Sequence, residues 1–231
     1  MITVAISVFV KVPIPGHVKT RLIQAFGATM AALLAECFLK DLLSRLCNSE
    51  LIHSSRLYIH YWPLHEEMRL RQILNEVPLN NTSVVITPQY GSHLGERLEH
   101  ALQLTRHMNT LLIGTDSPDL PLEEMSRALE STRRGESYIV RVKDGGYALL
   151  ALPMNSPKGI FEDVLWSSET TCIQQTRRIE CLGLTVRQSD TVWSDVDYPD
   201  DLLFLYRRLS QSPHIAPRTY QLIKHFYNAS I

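Results

Sequence analysis

Several features that would assign a class at once are scarce or missing. The four cysteines, Cys37, Cys47, Cys172 and Cys181, form no C-x-x-C pair and show no zinc-like spacing with histidine. That argues against a disulfide scaffold or a thiolate metal cluster and reads as free thiols in a reducing compartment. The amino-terminal apolar run, residues 2–10, is too short for a membrane span and lacks the charged start of a signal peptide, so a cytoplasmic protein is expected. Charge is nearly balanced, 23 basic against 24 acidic residues for a formal net charge of -1. There is no polybasic surface and no acidic tail, so nucleic acid is not an expected partner. Neither G-x-x-x-x-G-K-[ST] nor G-x-G-x-x-G occurs, which removes the P-loop and the dinucleotide fingerprint. Repeats and low-complexity tracts are absent as well.

What is present is a chain of 231 residues, 45% hydrophobic, enough for one substantial core. A single domain over residues 1–210 is expected, with a carboxy-terminal helical extension over 211–231. Buried-strand patterns at 2–10, 56–62, 83–87, 111–113, 136–142, 147–152 and 184–188 alternate with helical patterns. The helices are expected at 28–46, 66–76, from the Gly91 loop to about 107, 123–133, to about 181, to about 209, and at 217–227. This alternation predicts an α/β fold, a mainly parallel doubly wound sheet with helices on both faces. Asp144-Gly145 between two strand patterns predicts a hairpin, which adds one antiparallel strand.

Candidate chemistry collects at strand ends, where ligands bind in open α/β sheets. The run Leu111-Leu112-Ile113 stops in Gly114-Thr115-Asp116-Ser117-Pro118-Asp119, delivering an acidic loop before a helix that starts near Pro121. Asp116 there suits a hard cation such as Mg²⁺, which takes one or two carboxylates plus substrate phosphates. Asp119 is either part of that loop's chemistry or a helix cap. After the first strand, Lys11, Lys19 and Arg21 gather among Pro13, Pro15 and Gly16, a loop suited to polyphosphate through Arg forks, Lys point charges and main-chain N–H groups. Gly16, Thr20 and Thr115 are counted with the nucleotide-binding candidates. The loop Gly91 to Arg97, with Gly91 and Gly95, lets a base or phosphate approach the main chain at a helix start. Asp195 and Asp197 alternate across Val196 in an extended segment, so both can face one cation, unless Asp197 caps the helix led by Pro199. Asp144 is a turn residue that can also present a carboxylate, with Tyr147, to an acceptor. Trp166 either covers a substrate or completes the core, and Ser167 or Ser168 is expected to cap the helix that follows.

In order along the chain, Lys11…Pro15-Gly16-x-Val18-Lys19-Thr20-Arg21-Leu22, Leu94-Gly95-Glu96-Arg97, Gly114-Thr115-Asp116-Ser117-Pro118-Asp119-Leu120, Asp144-Gly145-Gly146-Tyr147, Trp166-Ser167 and Asp195-Val196-Asp197-x-Pro199-x-Asp201-Leu202 resemble a bacterial family of glycosyltransferase-A-like, nucleotide-diphospho-sugar-transferase-like proteins. The resemblance spans about residues 2–210. It implies a GT-A-like (Rossmann-like) fold, Mg²⁺ or Mn²⁺, a nucleotide or nucleotide-sugar donor and a small-molecule acceptor. By position it implies metal ligands at Asp116 and Asp197, with Asp195 as a further candidate, and phosphate contacts at Lys11, Lys19 and Arg21. The Gly91–Arg97 loop would lie near the nucleoside, Asp144 and Tyr147 near the acceptor. Lys19, Arg21 and Asp144 are the candidates for catalysis. One departure from the family's pattern stands out. A small Gly-Pro-Ala-like approach to the Asp-Gly-Gly-Tyr turn is replaced here by Val140-Arg141-Val142-Lys143, and the two added cations point to an anionic acceptor.

Glycosyl transfer from a nucleoside-diphosphate sugar comes first among the chemistries. Nucleotidyl transfer from a nucleoside triphosphate to a phosphate or phosphonate acceptor is the alternative, since the Lys-Thr-Arg-Leu loop also looks like the phosphate loops of sugar-nucleotide pyrophosphorylases and cytidylyl- or guanylyltransferases. A non-catalytic nucleotide-binding protein is the third. The base, the sugar, the acceptor and the oligomeric state are not readable from these residues.

Overall fold

The computed structural model describes residues 3–79 and 82–228; Ile2 of the expected first strand and residues 229–231 of the expected extension lie outside them. Seven strands form one sheet: β1 (Val4–Lys11), β2 (Ser55–Trp62), β3 (Val84–Pro88), β4 (Asn109–Gly114), β5 (Ser137–Arg141), β6 (Tyr147–Leu152) and β7 (Val186–Gln188). Their order is β3-β2-β1-β4-β6-β5-β7. All neighbours pair in parallel except β6, which runs antiparallel to β4 and β5. The Asp-Gly-Gly hairpin is the source of that reversal. Its ladder shifts register between Val140 and Arg141, a bulge just before the tip.

The continuous apolar character of β1 and β4 follows from burial on both faces. Val4, Ile6, Val8 and Val10 point into a core shared with the helices α2 (Ala28–Cys47), α3 (Glu67–Leu74) and α5 (Leu122–Arg133). On the other face Leu112, Ile139, Leu150 and Leu152 meet α4 (Leu94–Thr105) and α6 (Thr171–Cys181). A separate core joins the first half of α2 to α7 (Pro199–Gln211) and α8 (Pro217–Asn228), around Phe38, Leu202, Leu205 and Ile223. Leu22 and Val196 are fully buried in that same core. The short helix α1 (Ile23–Phe26), which periodicity did not foreshadow, links the basic loop to α2.

Three helix starts show which of the candidate capping residues cap, and at α6 the cap differs from expectation. Asp119 caps nothing: its carboxylate accepts from Arg208 Nε at 2.6 Å and Nη2 at 3.2 Å, a fork drawn from α7. Asp197 is not the cap of α7 either. Tyr198 holds that position, and Asp201, in the first turn, accepts from the main-chain N–H groups of Tyr198 (2.8 Å) and Asp197 (3.1 Å). Ahead of α6 the cap residue is Thr170, without a side-chain cap bond, while Ser168 Oγ accepts from the Thr170 N–H at 3.2 Å.

Candidate active site

The parallel strands aim their carboxyl ends at one edge, and the basic loop leaves β1 there. Lys19 adopts a left-handed conformation (φ 46°) ahead of a single 3-10 turn, Thr20–Leu22, anchored by the buried Leu22. This turns the Lys19 side chain inward, to 5% exposure. Its ammonium reaches three acceptors on two other chain segments: Asp116 Oδ1 at 2.5 Å, the Val196 carbonyl at 2.6 Å and Asp197 Oδ1 at 3.4 Å. Arg21 Nη1 donates to Asp197 Oδ2 at 2.7 Å, and its guanidinium lies 4.9 Å from the centre of the Tyr198 ring. Cations and carboxylates expected to hold phosphate and metal are therefore paired with one another.

The acidic side is built from the hairpin tip and the segment before α7. Trp193 N donates to the Arg141 carbonyl at 2.8 Å and Lys143 N to the Trp193 carbonyl at 3.2 Å, so the two strips lie side by side. Val196 N donates to the Asp116 carbonyl at 3.0 Å, which adds the β4 loop. Asp144, Asp195 and Asp197 each bring a carboxylate oxygen within 4.8 Å of the others. Asp144 is exposed and braced by the Gly146 N–H at 2.9 Å; Asp195 and Asp197 are half-buried. Burial, then the facing charges of Asp144, Asp197 and Asp116, push the Asp195 carboxyl up to about 7, against the opposing pull of Lys19. An all-oxygen set of crowded carboxylates, one of them reluctant to ionise, fits a hard divalent cation. Asp116 stands next to this group, engaged by Lys19.

The β4 loop is held from below. Arg45 of α2 donates to the Pro118 carbonyl at 2.7 Å and the Leu120 carbonyl at 2.9 Å, while Arg208 forks onto Asp119. These two staples, like Tyr198 under Arg21, escaped the sequence reading because each joins residues far apart in the chain. Only the i,i+1 pair Arg207-Arg208 on an otherwise amphipathic helix could have hinted at one of them.

The remaining candidates fall into two groups. Lys11 is exposed at the end of β1, with no ion pair among the described residues; Gly16 and Thr20 are exposed and Thr115 half-buried on the same edge. The Gly91–Arg97 loop lies at the ends of β2 and β3. Glu96 folds back to accept from Ser92 N (2.7 Å) and Oγ (2.8 Å), and Arg97 donates to the Gly91 carbonyl at 3.0 Å with its guanidinium 4.1 Å from the centre of the Trp62 ring. Gly95 lets the Trp166 indole approach so closely that a Cβ there would stand 2.6 Å from Nε1. Trp166 also packs on Phe161, ring centres 6.4 Å apart, and Tyr147 turns its hydroxyl to Gln175 Oε1 at 3.4 Å, where burial raises its pKa. Among the described residues neither ring contacts the carboxylates. Two concavities of about 270 and 440 Å³ lie around β7, the first lined by Arg141 and Cys172, the second by Arg134 and Arg187. Neither includes a carboxylate of the cluster.

Over residues 52–168 the chain matches the model of a bacterial family, DUF2064, described as an uncharacterized protein conserved in bacteria. That span contains Asp116 and Asp144 but stops short of Lys19, Arg21, Asp195 and Asp197. A structure from Desulfovibrio desulfuricans, provisionally named a nucleotide-diphospho-sugar transferase, is 30% identical with a TM-score of 0.85, over 97% of this chain and 95% of that one. Two others share the fold: a 4-diphosphocytidyl-2C-methyl-D-erythritol synthase from Anaerococcus prevotii (13% identity, TM-score 0.57, 90% and 96% covered) and a cytidylyltransferase from Leptospira borgpetersenii (14%, 0.57, 100% and 96%). No curated protein matches the chain. With its full-length likeness to the Desulfovibrio structure and its matched central span, the chain belongs to the bacterial DUF2064 family.

Proposed function

We propose that this protein is a metal-dependent transferase acting on a nucleotide-activated donor, and that the reaction is glycosyl transfer from a nucleoside-diphosphate sugar. The observation that carries the reading is the Lys19 ammonium. It gathers the basic loop, the β4 loop and the Asp195–Asp197 segment at the carboxyl edge of the parallel strands. The name of the Desulfovibrio relative supports the same class.

In this assignment Asp195 and Asp197 hold Mg²⁺ or Mn²⁺, with Asp116 beside them, and Asp144 is kept for the acceptor. Such an ion supplies positive charge to the leaving nucleoside diphosphate. Lys11, Lys19 and Arg21 take the phosphates; Arg21 does so by exchanging the Asp197 carboxylate for phosphate oxygens, a bidentate partner of the same geometry. The Gly91–Arg97 loop, ordered by its own hydrogen bonds, lines the nucleoside side. Asp144, the exposed member at the hairpin tip, accepts the proton of the incoming hydroxyl. The working unit is residues 1–210, with 211–231 as an extension held against it. Nucleotidyl transfer is the second reading, favoured by the cation Lys143 next to Asp144, which would suit a phosphate nucleophile.

Titration calorimetry against UDP, GDP, CDP, UDP-glucose, GTP and CTP, each with Mg²⁺ or Mn²⁺ and again with EDTA, tests the proposal. Metal-dependent binding of a diphosphate or a sugar nucleotide is expected. Preference for a triphosphate would move the assignment to nucleotidyl transfer, and silence across the panel would overturn both.

A further inference from the structure

Beside the carboxylates, at the hairpin tip and α7, lies a second group of cations. Lys143 immediately precedes Asp144, and the bond from its main-chain N–H to the Trp193 carbonyl, 3.2 Å, fixes it beside the carboxylates. Its ammonium lies 5.6 Å from the centre of the Phe204 ring on α7. The guanidinium of Arg207, one helical turn further on, lies 5.8 Å from the same ring centre. Both cations are exposed, as is Phe204 at 47%, and neither cation has an acidic partner at ion-pair distance among the described residues.

Closest to the carboxylates the other cations are neutralised, whereas Lys11, at the end of β1, has no ion pair among the described residues. Lys19 and Arg21 are paired with aspartates, and Arg208, adjacent to Arg207, is forked onto Asp119. Two positive charges left together on one aromatic ring are a local exception. Their repulsion is weak in water, and the negative face of the ring offsets part of it. An anion with two formal charges would remove the rest, taking a fork from Arg207 and a point charge from Lys143. Both side chains are long and exposed, and so keep rotamer freedom to adjust toward a shared anion. Arg141, the other cation of the hairpin, does not take part: it lines the concavity beside Cys172 and Thr176.

We propose that Lys143, Arg207 and Phe204 form an anion subsite that recognises a phosphoryl or phosphonyl dianion carried by the acceptor. Calling that ligand an acceptor rests on the transferase reading; the binding of the dianion does not.

The test uses the full chain in EDTA, titrated with methylphosphonate and with inorganic phosphate, acetate serving as the monoanion. Heteronuclear NMR is expected to show methylphosphonate shifting resonances of Lys143, Phe204 and Arg207. Affinity for it is expected to fall at least tenfold in the double variant Lys143→Met with Arg207→Met, and severalfold in each single one, with an unchanged far-UV spectrum because both positions are exposed. Arg21→Met is expected to leave that affinity as it was, and metal-dependent UDP affinity to keep its wild-type value in the double variant. The proposal is overturned by equal methylphosphonate affinity in wild type and double variant, by loss in Arg21→Met instead, or by acetate binding as tightly. A positive methylphosphonate result alongside silence toward every nucleotide would leave the subsite standing and remove the transferase reading.

Discussion

Asp195 carries a pH signature at the candidate site. An ordinary aspartate loses its proton near 3.8, whereas burial and the facing Asp144, Asp197 and Asp116 hold this one up to about 7. Between those two values the folded chain binds more protons at Asp195 than the unfolded chain does, so this group lowers stability as pH rises from about 4 to about 7. We expect Asp195→Asn to flatten that fall and to be more stable than wild type at pH 8, by on the order of 1–2 kcal/mol once solvent screening is allowed for. Urea denaturation at pH 5 and pH 8 measures it, and an unchanged difference between the two would contradict the assignment. A divalent cation competes for the same carboxylate, so metal affinity should strengthen as pH rises through 7. Gly145 is the second informative residue. It sits at φ +90° with its α-carbon against the main chain of Glu169, and Cys172 N donates to its carbonyl at 2.8 Å. Gly145→Ala should therefore cost about 2 kcal/mol or more, through strain at positive φ and displacement of the start of α6. A thermal melt indistinguishable from wild type would count against that packing.

Among the elements, strands were the most legible. β-branched runs buried on both faces leave little alternative, and Asp144-Gly145 announced the hairpin that supplies the antiparallel strand. Helix starts were less so. Asp119 reads locally as a cap, but Arg208, 89 residues away, takes both its oxygens. Asp197 lost the capping role because Pro199 begins the helix two residues later and brings Asp201 to the turn that needs an acceptor. The converging carboxylates were legible in part: alternation put Asp195 and Asp197 on one face, while the nearness of Asp144 depends on strand pairing that no local pattern reveals. The left-handed turn at Lys19, which buries its charge, had no local signal at all. At the far end of the chain, Asp41 of α2 is fully buried and accepts from Thr219 N at 2.8 Å and from Arg218 N and Nη1 at 3.3 Å. Asp41→Ala would strand those donors and should loosen α8 by roughly 2–4 kcal/mol. Hydrogen exchange over residues 217–227 reports it; protection equal to wild type would show that the apolar contacts of α8 suffice.

For the molecule as a whole, ligand linkage gives a test that does not depend on naming the reaction. A cation bound only by the folded chain should raise stability by about 2.7 kcal/mol at a hundredfold excess over its Kd, reversibly with EDTA. The Asp197→Asn variant should lose that gain, and a melting curve indifferent to Mg²⁺ and Mn²⁺ would remove the metal from the assignment. The fold could be anticipated from residue pattern because it follows from burial, and so could the gathering of carboxylates at the sheet edge in part. The identity of any nucleotide base could not, since residue types do not encode the main-chain shape of a loop such as Gly91–Arg97. The burial of Leu22 and Val196 with α7 and α8 has a further consequence. Each is the neighbour of a site residue, Arg21 on one side and Asp195 and Asp197 on the other, yet neither belongs to the core that supports the sheet. Loosening of the candidate site and unfolding of the sheet thus become separable events. In mild denaturant the carboxy-terminal helices should release first, loosening the candidate site and lowering the helical circular dichroism signal while the strands persist.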